Sequence, residues 1–161
     1  METITGTPQE LSIQLKNLKQ DKIYELKLYY PARGTQANRY FHKLVNELAR
    51  YNRSTGYAIS NEEMKINMNL AYGTLAIDDF GTVQGAKVPH GTNMKKWYEY
   101  SKKYKQDDEF DYYIFYKRTH ELDSKEFYQL IKGVEAECKE VGIKTLDDIE
   151  FERMMATYDM E

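Results

Sequence analysis

The chain has 161 residues, a formal net charge of −3 and 41% hydrophobic residues, which is enough to bury one core. Its 14% aromatic content excludes a disordered protein, and the lack of any apolar run of about 20 residues excludes a bilayer-spanning helix. No signal-peptide pattern is visible and the single cysteine excludes an internal disulfide, so we expect one cytoplasmic domain over residues 1–161.

The charges are unevenly distributed along the chain. Residues 1–57 carry nine lysines and arginines against five acidic residues, and residues 87–118 carry eight against five, whereas residues 119–161 carry five against twelve. The overall acidity argues against a protein that coats duplex DNA through charge alone. The segregation still allows a local basic face, although ordinary solvated surfaces show such asymmetry as well.

The first third of the chain predicts a hairpin followed by a helix. Apolar and polar residues alternate over residues 11–18 and again over residues 22–30, which indicates two half-buried strands in an antiparallel hairpin. The helical spacing of Phe41, Leu44 and Leu48 then predicts a helix over residues 36–51. A capping-box pattern, Ser60 with Glu63, opens a second helix that ends near residue 71.

The remaining elements mix strands and helices. Residues 73–89 favour β structure with a turn around residues 79–81, residues 93–104 fit either a helix or a strand, and residues 111–117 are the strongest strand signal. A second capping box, Asp123 with Glu126, opens a helix that ends at Gly142, and a short terminal helix is expected to start at Thr145. These elements predict an α+β fold, with about four helices packed on an antiparallel sheet of short strands.

The sequence shows no catalytic constellation, phosphate-binding loop or metal-ligand spacing, so we expect no enzyme, cofactor or metal. Cys138 lies on the apolar stripe of its helix, as a structural thiol does. One alternative is a metal-dependent nuclease or resolvase built on Asp78, Asp79 and either His90 or His120. Another is a protein-interaction module that uses the acidic C-terminal helix.

Two segments carry the chemistry of single-stranded nucleic-acid binding. The helix over residues 36–51 places cations and amides opposite its apolar face, and residues 94–104 interleave lysines with four aromatic rings, two of which we assign to the core. Cations contact phosphates, and unpaired bases stack on exposed rings, although a solvated helix face and lysines over a core would give the same pattern. The predicted nucleic-acid-binding residues are Arg33, Gln36, Asn38, Arg39, Lys43, Arg50, Lys95, Lys96, Trp97, Lys117 and Arg118.

Residues 33–49, residues 116–145 and the dipeptide Tyr72-Gly73 together resemble the NinB family of phage recombination proteins, also called Orf, in the versions from phages of Gram-positive hosts. The resemblance implies a non-enzymatic recombination mediator that binds single-stranded DNA, cooperates with a single-stranded-DNA-binding protein and helps to load a recombinase. It also implies a homodimer, an α+β fold and a place in the cytoplasm of the bacterial host. The matching positions are Arg33, Gln36, Asn38 and Arg39 in the first segment and Thr119, Glu121, Ser124, Lys125 and Glu126 in the second.

Overall fold

The structure is a computed structural model that describes residue 4, residues 6–26 and residues 35–158. The chain forms two compact units, one over residues 1–33 and one over residues 34–160. The predicted α+β class is confirmed: the described residues contain five α-helices, where about four were expected, and a three-stranded antiparallel sheet. None of the helices in these ranges is both long and apolar enough to cross a bilayer.

The first unit contains a helix, α1 (Pro8–Leu15), where we predicted a strand. The strand prediction is wrong because a capping box outweighs the short alternation: Thr7 Oγ1 accepts the N–H of Glu10 at 3.3 Å, and Glu10 Oε2 accepts the N–H of Thr7 at 2.8 Å. Pro8 at the first helical position also favours helix entry. Residues 22–26, the described part of the predicted hairpin partner, form no strand, and residues 27–30 lie outside the described residues.

Four helices of the second unit enclose the hydrophobic core: α2 (Thr35–Ser54), α3 (Asn61–Tyr72), α4 (Ser124–Glu140) and α5 (Asp148–Tyr158). The two predicted capping boxes are confirmed at the starts of α3 and α4. The predicted start of α5 at Thr145 is wrong by three residues, because Asp147 Oδ1 accepts the N–H of Glu150 at 2.7 Å and so caps the helix. The central core side chains are Phe41, Leu44, Val45, Phe127, Leu130, Ile131, Val134, Cys138, Phe151 and Met154.

The sheet consists of β1 (Gly85–Pro89), β2 (Ser101–Gln106) and β3 (Phe110–Phe115), with β3 in the centre. The β2–β3 register shifts between Lys103 and Lys105, so Tyr104 is the extra residue of a bulge. The predicted turn around residues 79–81 is confirmed, since Ile77 pairs with Val83 across it. The ambiguous residues 93–104 contain both structures, a short 3₁₀ helix (Met94–Lys96) followed by the first half of β2.

A buried amide connects the helical layer to the sheet. Asn69 of α3 is fully buried, and its Nδ2 donates to the carbonyl of Lys117 at 3.0 Å and to Thr119 Oγ1 at 3.3 Å. The N–H of Lys117 in turn donates to the carbonyl of Thr74 at 2.8 Å. Because buried amides are costly unless bonded, these contacts fix the end of β3 against α3.

Candidate nucleic-acid interface

The outer face of α2 carries the predicted basic stripe. The inner face of α2 is buried in the core through Phe41, Leu44 and Leu48. Because of the helical period, the polar residues between them face solvent. We call the outward set the α2 stripe, and its members border an open depression of about 470 Å³ together with His42 and Glu47. The α2 stripe consists of Asn38, Arg39, Lys43, Asn46 and Arg50.

The cations of the α2 stripe are not neutralised locally. Arg39, Lys43 and Arg50 are exposed, and none of them forms an ion pair within 4.0 Å with any other residue that the structure describes. Burial, followed by the nearby charge of Lys65, lowers the pKa of His42, so this imidazole contributes neutral hydrogen-bonding groups at pH 7. With Glu47 as the single acid in the lining, the depression has a net positive charge.

The predicted residues at the start of α2 are partly described. Gln36 and Asn38 lie exposed in the first turn, where backbone N–H groups favour anions. Arg33 lies outside the described residues. The two amides therefore extend the polar surface of the α2 stripe toward the positive end of the helix dipole.

The second predicted segment separates into buried and exposed members. Trp97 is 78% exposed and Tyr104 is 59% exposed, whereas Tyr100 is buried and Tyr98 is half-buried. Lys96 is exposed as well. Two exposed rings and several exposed lysines therefore remain in this segment as candidate contacts for a polynucleotide.

Lys95 has structural contacts that its predicted role did not anticipate. Its ammonium group donates to the carbonyl of Glu99 at 2.9 Å and to the carbonyl of Ser101 at 2.6 Å. Burial lowers the pKa of Lys95, in keeping with an ammonium group drawn toward the backbone. These two bonds leave one N–H of Lys95 for any ligand.

Lys117 and Arg118 also lie in internal contacts. The ammonium group of Lys117 is 3.0 Å from a carboxylate oxygen of Glu126, which balances its charge. The guanidinium carbon of Arg118 lies 5.1 Å from the ring centroid of Tyr98, while the side chain stays exposed. Of this pair, Arg118 is therefore the better placed to attract a phosphate.

The geometry gives the nuclease alternative no support. Among the described residues, no three histidine, cysteine or acidic side chains lie close enough together to hold a metal ion. Asp78 Oδ1 accepts the N–H groups of Phe80 and Thr82, both at 2.9 Å, which is the bonding of a turn residue. His90 Nδ1 lies 2.9 Å from Asp111 Oδ1, and the same carboxylate accepts the N–H of Gly91, so this pair holds a loop.

Cys138 has the properties of a core residue. It is fully buried, and burial raises the pKa of its thiol to about 12, so almost none of it is the nucleophilic thiolate at neutral pH. The acidic C-terminal helix is likewise part of the core, since Phe151, Met154 and Met155 of α5 are all buried. The carboxylates of α5 therefore belong to a helix that packs against the core.

Sequence reasoning missed a set of lysines and rings on the sheet. Lys87, Lys105 and Tyr112 are brought together only by the strand register, because Tyr112 pairs with both lysines. The lysines and rings within residues 102–112 would have indicated this face if residues 101–115 had been recognised as a hairpin.

No protein-family model, curated protein sequence or solved structure matches this chain.

Proposed function

We propose that this protein binds single-stranded DNA through the α2 stripe and acts as an accessory protein of phage DNA recombination. The observation that carries the proposal is the row of three exposed cations without carboxylate partners among the described residues. Arg39 and Arg50 are eleven residues apart, which corresponds to about 16 Å along a helix. A row of that length spans several phosphates of a single strand.

The chemistry of the α2 stripe suits a phosphate backbone. Arg39 and Arg50 offer planar groups that hold two phosphate oxygens at once, and Lys43 between them offers a compact charge. Asn38 and Asn46 add neutral donors beside these cations. Contacts of this kind are independent of sequence, as an accessory protein that acts on any exposed strand requires.

The wider role rests on the NinB resemblance. On that basis the protein cooperates with a single-stranded-DNA-binding protein, assists the loading of a recombinase, forms a homodimer and works in the cytoplasm of the bacterial host. The overall charge of −3 supports this division of labour, because repulsion between a net negative protein and a polyanion weakens direct binding and leaves placement partly to partners.

The test is a salt titration of a labelled oligo-dT with the wild type and the triple variant Arg39→Gln/Lys43→Gln/Arg50→Gln. Each phosphate contact on a single strand contributes about 0.7 to the slope of log affinity against log salt, so removal of three contacts should lower the slope by about 2. Between about 50 and 200 mM salt the wild type should therefore lose about 20-fold more affinity than the variant.

A matched control removes the same charge elsewhere. Lys139, Lys144 and Arg153 are exposed cations of the acidic C-terminal region, and their triple change to Gln alters net charge equally. The slope of this control should stay within about 0.5 of the wild type if contacts, rather than net charge, determine affinity. Absence of wild-type binding at about 50 mM salt, or an equal loss of slope in the control, would refute the proposal.

A further inference from the structure

One face of the sheet brings lysines and aromatic rings together from all three strands. Lys87 of β1 and Lys105 of β2 both pair with Tyr112 of β3, and directly paired residues point to the same side of a sheet. Phe110 lies two residues before Tyr112 and shares that side, because side chains alternate along a strand. We call this surface the lysine–aromatic face, and its members are Lys87, Lys102, Tyr104, Lys105, Phe110 and Tyr112.

Five of the side chains of the lysine–aromatic face contact one another, and Lys102 joins the same side through its pairing with Ile114. Lys87 Nζ lies 4.2 Å from the ring centroid of Phe110, and Lys105 Nζ lies 5.0 Å from that of Tyr112. The bulge at Tyr104 places its ring centroid 6.4 Å from that of Tyr112. The planes of the two tyrosine rings make an angle of 59°, and the ammonium groups lie over Phe110 and Tyr112 at the spacing of cation–π pairs.

The two faces of the sheet differ in how far other side chains shield them from solvent. On the opposite face Ser101 and Asp111 are buried, and the ring of Tyr98 lies over Phe115 with centroids 4.6 Å apart. On the lysine–aromatic face all three lysines are exposed, Tyr104 is 59% exposed, and Tyr112 remains half-buried. Solvent therefore reaches the paired rings from this side.

The charge of the lysine–aromatic face is positive. Lys87, Lys102 and Lys105 form no ion pair within 4.0 Å with the residues that the structure describes. The nearest acid with a bond to this face is Asp107, and its oxygens already accept the Tyr112 hydroxyl at 2.8 Å and the N–H of Phe110 at 2.6 Å. The charges of Asp107 and Glu109 both act on Tyr112, so a polyanion meets three lysines beside two carboxylates.

We propose that the lysine–aromatic face is a base-stacking site for single-stranded DNA, in which an unpaired base stacks on Tyr104 while Lys87, Lys102 and Lys105 contact the flanking phosphates. The ring supplies the part of the affinity that is independent of base sequence, because every base has a π-face. The lysines supply the part of the affinity that weakens with salt. The inference rests on the proposed single-strand binding. It adds a second site, which contacts bases, to the α2 stripe, which contacts phosphates alone.

The test separates bases from phosphates with two labelled oligonucleotides of equal length, an oligo-dT and an abasic strand with the same phosphates. The wild type should prefer the oligo-dT, and Tyr104→Ala should lower oligo-dT affinity about fivefold or more while leaving abasic affinity unchanged. Lys87→Gln/Lys105→Gln should weaken both oligonucleotides and lower the salt slope by about 1.4. Tyr104→Phe, which retains the ring, should bind as the wild type does.

The control is Tyr57→Ala, which removes a 71% exposed tyrosine outside the sheet and should leave both affinities unchanged. Unchanged melting temperatures will show that the variants fold. If the wild type binds both oligonucleotides equally and Tyr104→Ala binds as the wild type does, the base-stacking site is refuted while binding through the α2 stripe stands. If the wild type binds neither oligonucleotide at low salt, both proposals fail.

Discussion

The hydroxyl of Tyr40 joins three parts of the helical core. It donates to Glu135 Oε2 of α4 at 2.6 Å and accepts the N–H of Leu146, which precedes α5, at 3.0 Å. Glu135 is 98% buried, and its other oxygen lies 3.3 Å from Lys132 Nζ. Tyr40→Phe should therefore leave a buried carboxylate oxygen and a backbone N–H without partners, while the ring keeps its edge contact with Phe151.

The expected loss in the free energy of unfolding follows from these two groups, which lose their hydrogen-bond partner. A buried polar group left without its partner costs about 1–3 kcal/mol, and more when the group is charged, so we expect a loss of about 3 kcal/mol. For a chain of this size that loss lowers the melting temperature by about 6–12 °C. Urea unfolding followed by circular dichroism is the suitable measurement, since Trp97, the single tryptophan, is largely exposed and would report the transition weakly by fluorescence.

Tyr128→Phe is the matched control. The Tyr128 hydroxyl donates to Glu152 Oε1, also at 2.6 Å, but this bond is exposed, so water replaces it and the loss should stay below about 1 kcal/mol. In a Glu135→Gln background the cost of Tyr40→Phe should shrink, because a neutral amide tolerates an unfilled site better than a carboxylate does. Equal losses in Tyr40→Phe and Tyr128→Phe would refute the reasoning.

Two further predictions concern the sheet and the α3–α4 contact. The hydrogen bond from His90 keeps the pKa of Asp111 below its ordinary value, so the stabilisation by this carboxylate is present above that value and is lost progressively as pH falls below about 4. The stability difference between wild type and Asp111→Asn should therefore shrink over that pH range, and parallel urea-midpoint profiles would contradict this. Gly133→Ala should gain up to about 1 kcal/mol of helix propensity. It should still destabilise the protein by about 1–3 kcal/mol overall, because the added methyl group would lie 2.2 Å from the Tyr72 ring. A raised melting temperature of the variant would contradict this prediction.

The helices could be predicted where a local signal determines them. Ser60 with Glu63 and Asp123 with Glu126 each satisfy exposed N–H groups within one turn, so four residues suffice to identify each start. Thr7 and Glu10 make the same arrangement, but the alternation that follows indicated a strand instead. That alternation was misleading because the capping box determines this segment as a helix, and no residue of α1 is buried: Ile13, for example, is 67% exposed.

The α2 stripe was predictable because one helix carries all of it, and helical periodicity alone separates its polar side from its apolar side. The lysine–aromatic face could not be predicted as a whole, because it depends on which residues of three strands lie opposite one another. Tyr104 shows the difficulty: it is the extra residue of a bulge, and a one-residue shift moves every following side chain to the other face. The contacts of Lys95 with backbone carbonyls depend on tertiary structure in the same way.

The packing of α5 against the inner side of α2 has an electrical consequence. Because the carboxylate-bearing helix is held by Phe151 and Met154, the negative charges keep a fixed position while the cations of α2 point away from the shared core. Within the unit over residues 34–160, the cations of the α2 stripe and the carboxylates of α5 are thus held on opposite sides of the shared core. Long-range attraction of a polyanion therefore favours its approach to the α2 stripe over its approach to α5.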